Sequence, residues 1–216
     1  MNLNLFDSEP GENWPDRLGQ HAVVLRGCAL ASVAELLPAL EAILRVAPFR
    51  YMVTRGGFRM SVALTNCGTL GWTSDRHGYR YCRSDPESGL DWPAMPPVFM
   101  ELAHRAASDA GFDGFIPDAC LINRYEPGTR LSLHQDKNER HFDAPIVSVS
   151  LGIPATFLFG GHERTDKTVR VLLLHGDVVV WGGSDRMRYH GILPIKNAYH
   201  PLIGGRRINL TFRKAG

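Results

Sequence analysis

From Gly111 onward the chain breaks into eight short segments: DACLINRY, RLSLHQD, PIVSVSLG, ATFLFGG, TVRVLLLHG, DVVVWGG, MRYHGI and RRINLTFR. Each is rich in β-branched and aromatic residues and is set off from the next by Pro and Gly turns, which is the pattern of successive short strands. Eight such strands in roughly a hundred residues point to an antiparallel sandwich or jelly roll. The front half adds helices. SVAELLPALEAILRV, from Ser32, offers a capping serine, apolar residues at helical spacing and a kink at Pro38. PPVFMELAHRAASDAGF, from Pro96, has proline where a helix starts and Gly111 where it stops. The expected class is α+β, with helices buttressing the outside of a strand-built core in one domain.

With 216 residues, 44% of them hydrophobic, the chain has enough apolar surface for a sizeable core. The start, MNLNLFDSEPGENW, lacks the basic end and apolar segment of a signal peptide, and no apolar run approaches the roughly 20 residues of a membrane helix, so no membrane association and a cytoplasmic location are expected. Cys28, Cys67, Cys82 and Cys120 form no C-x-x-C pair and read as reduced thiols. The net charge is only +2, but Phe49 to Arg83 carries six arginines against Asp75, a local +5 that leaves −3 for the rest. Aromatics interleave with them, including Phe58, Trp72, Tyr79 and Tyr81. Cations for phosphates and ring faces for bases suit a single-strand or flipped-base surface. A twisted hairpin with arginines in water and rings in the core accounts for the same stretch equally well.

Three H-x-D triplets compete for a metal. In LSLHQDKNER, strand alternation puts Ser132, His134 and Asp136 on one face, so an imidazole and a carboxylate converge. His175-Gly176-Asp177 has glycine in a turn, and His141-Phe142-Asp143 lies in a loop before Pro145. His190, in MRYHGI, supplies a third ligand from a later strand. Two histidines and one carboxylate leave three open metal positions, the arrangement of non-haem iron(II) oxygenases rather than of structural zinc. Taken alone, His134 reads first as a hydrogen-bonded strand histidine. In the last strand Arg207, Asn209, Thr211 and Arg213 share one face and Ile208, Leu210 and Phe212 the other, which describes either an amphipathic edge strand or arginines gripping a carboxylate. Asn123 and Tyr125, in LINRY, add polar groups at period two.

These segments, with MSVALTNCG, LGWTS, HGDVVVWGG and NLTFR in order and spacing, resemble the AlkB family of iron(II) and 2-oxoglutarate-dependent dioxygenases from about Pro48 to Lys214. The resemblance is to its bacterial DNA-repair branch. It implies a double-stranded β-helix (jelly roll) core over 116–216, an N-terminal helical extension over 1–47, a β-rich nucleotide-recognition lid over 48–90 and a buttressing helix over 91–115. It implies Fe(II) on His134, Asp136 and His190, with O2 and 2-oxoglutarate as cosubstrates. Arg207 and Tyr125 would hold the distal carboxylate of 2-oxoglutarate, Asn123 and Arg213 would lie near its chelating end, and Asn209 would share that face. Trp72, Tyr79 and Tyr81 would handle the damaged nucleotide and Arg164 the nucleic acid. The implied reaction is oxidative demethylation of 1-methyladenine and 3-methylcytosine in DNA, and also in RNA, by a monomer, releasing formaldehyde, succinate and CO2. Where the family pattern has an aspartate, this chain has Asn138, which alters the reading of a cationic base. Rival readings are a 2-oxoglutarate hydroxylase of a protein or small molecule, and a jelly-roll binding module without turnover.

Overall fold

The computed structural model describes residues 16–216; the reading of the first 15 residues, and the start of the expected N-terminal extension, lie outside the described residues. In chain order the elements are β1 (Asp16–Arg17), β2 (Ala22–Leu25), α1 (Val33–Val46), β3 (Ala63–Gly68), β4 (Gly71–Asp75), β5 (Gly78–Cys82), α2 (Pro97–Asp109), β6 (Ala119–Tyr125), β7 (Leu131–His134), β8 (Ile146–Gly152), β9 (Ala155–Phe159), β10 (Val169–Leu173), β11 (Val178–Trp181), β12 (His190–Ile192) and β13 (Arg207–Arg213). All eight strands expected beyond Gly111 form. They divide between a seven-stranded sheet, ordered β1-β2-β11-β8-β13-β6-β3, and a four-stranded sheet, ordered β10-β9-β12-β7. Every pairing is antiparallel. The inner faces meet through Ile146, Val179 and Trp181 of the larger sheet and Phe157, Phe159 and Ile192 of the smaller one.

The outer face of the larger sheet carries the helices. Leu36, Leu40 and Ile43 of α1 and Phe99, Leu102 and Ala106 of α2 pack on Val149, Leu210 and Phe212. Each fully buried side chain of this size contributes about 1.5–3 kcal/mol, so this layer holds β13 in register. β13 is no edge strand: it pairs with β6 on one side and β8 on the other, and all seven of its residues are buried. With Ile208, Leu210 and Phe212 committed to the helices, alternation turns Arg207, Asn209, Thr211 and Arg213 inward between the sheets.

One local expectation needs correcting. Ser32, the last residue of a 3-10 turn, leads into α1 in helical conformation and makes no side-chain cap; its hydroxyl accepts from Arg105 instead. α1 runs through Pro38. Gly111 follows α2 with φ +87°, a conformation other residues rarely adopt. Among the described residues, no helix is long and apolar enough to cross a membrane.

The hairpin β4–β5 belongs to neither sheet. The arginines around it are less free than their count suggests. Arg50 forks onto Asp85 and reaches Glu87, two acids just beyond the stretch counted above, and Arg80 pairs with Asp75. Arg59 lies over the Tyr51 ring at 3.8 Å. Burial pushes the Asp85 carboxyl up, but Arg50 outweighs it and leaves it below its ordinary range. Its contribution to stability is therefore complete above the unfolded value of about 3.9 and is lost as pH falls through the lower folded value. We expect Asp85→Asn to lower unfolding free energy at neutral pH by about 1–3 kcal/mol, with the difference from wild type shrinking below pH 4 in urea titrations. An equal difference at both pH values would show that the carboxylate charge is not what matters.

Candidate active site

His134 ends β7 and His190 begins β12, and the two strands pair with these residues directly opposite. Gly191 lets them close: a Cβ there would stand 2.7 Å from the Leu131 carbonyl oxygen. The imidazole centroids lie 4.4 Å apart. Asp136 falls just past the end of β7, so strand alternation is not what turns it inward. Arg186 holds its carbonyl (2.8 Å), and Arg213 forks onto its Oδ2 through Nε (2.9 Å) and Nη2 (2.7 Å). The carboxylate then stands 3.7 Å from His134 Nε2 and 3.8 Å from His190 Nε2. All three ligand atoms fit within 4.8 Å of one another, and this is the one such cluster among the described residues.

The protonation pattern suits a cation. Each histidine sets Nδ1 against a backbone carbonyl, Ser132 for His134 (2.9 Å) and Arg188 for His190 (3.1 Å). A carbonyl only accepts, so Nδ1 carries a hydrogen in both rings, which leaves Nε2 as the nitrogen that faces the centre. Burial, reinforced by His134, pushes His190 down to about 3, so it is neutral at physiological pH. Burial pushes Asp136 up, yet Arg213, with both histidines and Arg186, outweighs it and holds the carboxyl well below the usual range. The competing triplets have other work. Asp177 pairs with Arg26 and accepts from the Gly27 and Leu174 amides, while His141 and Asp143 are exposed.

Arg207 is 1% exposed, with the Tyr125 ring 5.0 Å from its guanidinium carbon. One nitrogen donates to Ser150 Oγ (2.9 Å), but among the described residues Nε and Nη1 are buried without a partner. Leaving a buried charged donor unpaired is costly, so the pocket is built for an anion with two acceptors. Asn209 is satisfied within the sheet, donating to Ser148 Oγ and the Val149 carbonyl, and is less available to a ligand. Asn123 lies opposite it on β6. A cavity of about 600 Å³ joins these side chains to His134, Asp136 and His190 and continues to Trp72, Tyr79, Asn138 and Arg164. Trp72 and Tyr79 stack at 5.5 Å, and Asn138 Oδ1 accepts weakly from the Trp72 indole (3.4 Å). Tyr81 is not among them: it does not line the cavity, and its hydroxyl donates to Glu139 (2.7 Å).

A sequence profile of the 2OG-Fe(II) oxygenase superfamily matches residues 21–213. The chain is 55% identical over 215 residues to the alpha-ketoglutarate-dependent dioxygenase AlkB of Escherichia coli, covering 99% of this chain and 98% of that one. The chain belongs to the AlkB family. A DNA N(6)-methyladenine demethylase, ALKBH1C of Arabidopsis thaliana, is 32% identical over 171 residues, 67% of this chain and 38% of its own. The solved structure of OsALKBH1 superimposes with a TM-score of 0.80 at 26% identity, covering 93% of this chain and 99% of that chain. As an AlkB dioxygenase this chain uses Fe(II), 2-oxoglutarate and O2. The side chains fit those groups: three neutral or anionic ligand atoms converge, and the unpartnered Arg207 nitrogens match a carboxylate fork.

Sequence reasoning missed Glu139 and Arg186. Both are buried beside Asp136, and Arg186 Nη2 stands 3.2 Å from Glu139 Oε2. They sit in loops where no periodicity points, so only the three-residue interval from Asp136 to Glu139 hints at one of them.

Proposed function

We propose that this AlkB dioxygenase removes N-methyl groups oxidatively from 1-methyladenine- and 3-methylcytosine-type bases in DNA, and in RNA as well. The observation that carries the reading is one continuous cavity, with a His-Asp-His cluster and a buried arginine at its base and a stacked Trp72–Tyr79 pair at its mouth. In this reading His134, Asp136 and His190 hold Fe(II), and Arg207 with Tyr125 grips the distal carboxylate of 2-oxoglutarate, with Asn123 and Arg213 toward its other end. The bound metal and cosubstrate supply the oxidation of the methyl C–H bond; the hydroxymethyl product then collapses to formaldehyde and the free base nitrogen.

The protein's share is binding and orientation. Segment 48–90 acts as the lid, its rings offering a stacking face to an extruded base, while exposed Arg55, Arg59, Arg76 and Arg83 and Arg164 meet phosphates. Ring faces and guanidiniums read base and phosphate rather than the sugar, which is why RNA falls within the proposal. A monomer suffices, because every side chain invoked comes from one chain.

The test is formaldehyde release, matched by succinate, from a 3-methylcytosine oligonucleotide supplied with Fe(II), 2-oxoglutarate and O2. Consumption of 2-oxoglutarate by the active enzyme with no formaldehyde from any methylated oligonucleotide would redirect the reading to a protein or small-molecule hydroxylase. Asn138 sharpens the test. An amide oxygen still accepts from an exocyclic amine but carries no charge, and the gap between a charge-assisted and a neutral hydrogen bond is about 1 kcal/mol, about fivefold. Asn138→Asp should therefore raise kcat/KM for cationic 3-methylcytosine about fivefold and leave the 2-oxoglutarate requirement unchanged. An equal response for a neutral N-methyl base would show that this side chain does not read base charge.

A further inference from the structure

Strand β5 reaches the carboxylate of Asp136 through one buried acid. The Tyr81 hydroxyl donates to Glu139 Oε1 at 2.7 Å. Glu139, its side chain 2% exposed, meets Arg213 Nε at 3.4 Å through the same oxygen and Arg186 Nη2 at 3.2 Å through the other. Both arginines also hold Asp136, Arg213 by its carboxylate and Arg186 by its main-chain carbonyl. Arg213 Nε is therefore shared, 2.9 Å from Asp136 and 3.4 Å from Glu139. How strongly Glu139 draws that nitrogen sets how firmly Asp136 is held.

We infer that Glu139 is a positioning residue which, with Tyr81, couples the β4–β5 hairpin to the metal carboxylate, so that nucleic acid at the hairpin and metal at Asp136 bind cooperatively. The hairpin register places Trp72 opposite Tyr81. A base stacked on Trp72 and Tyr79 thus fixes the strand that carries the Tyr81 hydroxyl. With that hydroxyl on Glu139 Oε1, part of the acid's acceptor capacity is occupied and Arg213 stays on Asp136. Without it, Glu139 competes harder for Arg213 and the carboxylate turns away from the two imidazoles. Outer partners of metal ligands act in this way by fixing orientation. The coupling is reciprocal by linkage: nucleic acid tightens metal and metal tightens nucleic acid by the same factor. This inference rests on the proposed metal site and on the hairpin as the nucleic-acid surface.

The experiment is an anaerobic Fe(II) titration of the full chain with saturating 2-oxoglutarate, read by the visible charge-transfer band, with and without a 3-methylcytosine oligonucleotide. Oligonucleotide binding to metal-free protein is followed separately by fluorescence polarisation. Wild type should bind Fe(II) about fivefold more tightly when the oligonucleotide is present, the low end of measured couplings. Tyr81→Phe, which removes a single oxygen atom, should abolish that tightening. Glu139→Gln should do the same without weakening Fe(II) in the absence of nucleic acid, because a neutral amide draws Arg213 away from Asp136 less than the carboxylate does. The double variant should be no worse than Glu139→Gln, because the two residues act in series. If Tyr81→Phe weakens only the oligonucleotide and keeps the tightening of Fe(II), Tyr81 touches the base directly and the inference is overturned. An oligonucleotide that binds without changing Fe(II) affinity in wild type overturns it too. The absence of any band in wild type removes the metal reading, and an oligonucleotide that does not bind removes the proposed substrate; either outcome takes the inference with it.

Discussion

Asp136→Ala, His134→Ala and His190→Ala should each reduce iron-dependent turnover to background, while His141→Ala retains most of it. The three residues supply the one cluster of converging ligand atoms among the described residues, and each removal leaves two ligands where three are needed to hold the ion. Asp136→Ala should do the most damage, because it also breaks the fork of the buried Arg213 guanidinium onto Asp136 and leaves that charge only its longer contact with Glu139. Breaking such a pair from one side costs about 3–5 kcal/mol, so a drop in unfolding free energy should accompany the loss of the charge-transfer band. Asp177→Asn separates fold from chemistry. It weakens the grip on Arg26 and two backbone amides, so it lowers stability but leaves kcat of the folded enzyme near wild type. Equal loss of turnover in His141→Ala and His134→Ala would mean that a different triplet binds the metal.

Arg207→Lys should raise the 2-oxoglutarate KM at least about tenfold, the worth of one charge-assisted hydrogen bond at about 1.5–3 kcal/mol. The positive charge survives, but the planar fork does not. Lysine cannot offer the equivalents of Nε and Nη1 to two oxygens of one carboxylate while still meeting Ser150 and lying over Tyr125. The effect should be confined to the cosubstrate: Fe(II) affinity measured without 2-oxoglutarate stays at the wild-type value, because Arg207 touches none of the three metal ligands. An unchanged KM would make Arg207 a core residue whose unpartnered nitrogens have no ligand.

Much of the fold was legible because strands and turns announce themselves locally. The eight segments after Gly111, the two helices and the inward-outward split of β13 all follow from periodicity and from where Pro and Gly fall. The H-x-D triplet and the later histidine were legible too, since a strand neighbour and a cross-strand neighbour are near in space almost wherever the register falls. Three things were decided only by the tertiary structure. First, β13 read by itself as an amphipathic edge strand or as a strand whose arginines grip a carboxylate, because alternation tells which residues share a face and not what that face meets. Burial of both its faces between helices and sheet turned four polar side chains into a site. Second, Asp136 lies beyond the strand that was expected to aim it, and what aims it comes from 50 and 77 residues away in Arg186 and Arg213. Third, Arg50 and Arg80 looked like phosphate contacts and Tyr81 like a base contact, yet Asp85, Asp75 and Glu139 claim them. An ion pair or a buried hydrogen bond is a choice of partner, and that choice depends on which side chains the folded backbone brings within about 3 Å. Sequence order carries the periodicity of a segment but not that distance, so the chain alone determined its elements and candidate ligands, and packing decided which charges face a ligand and which face each other.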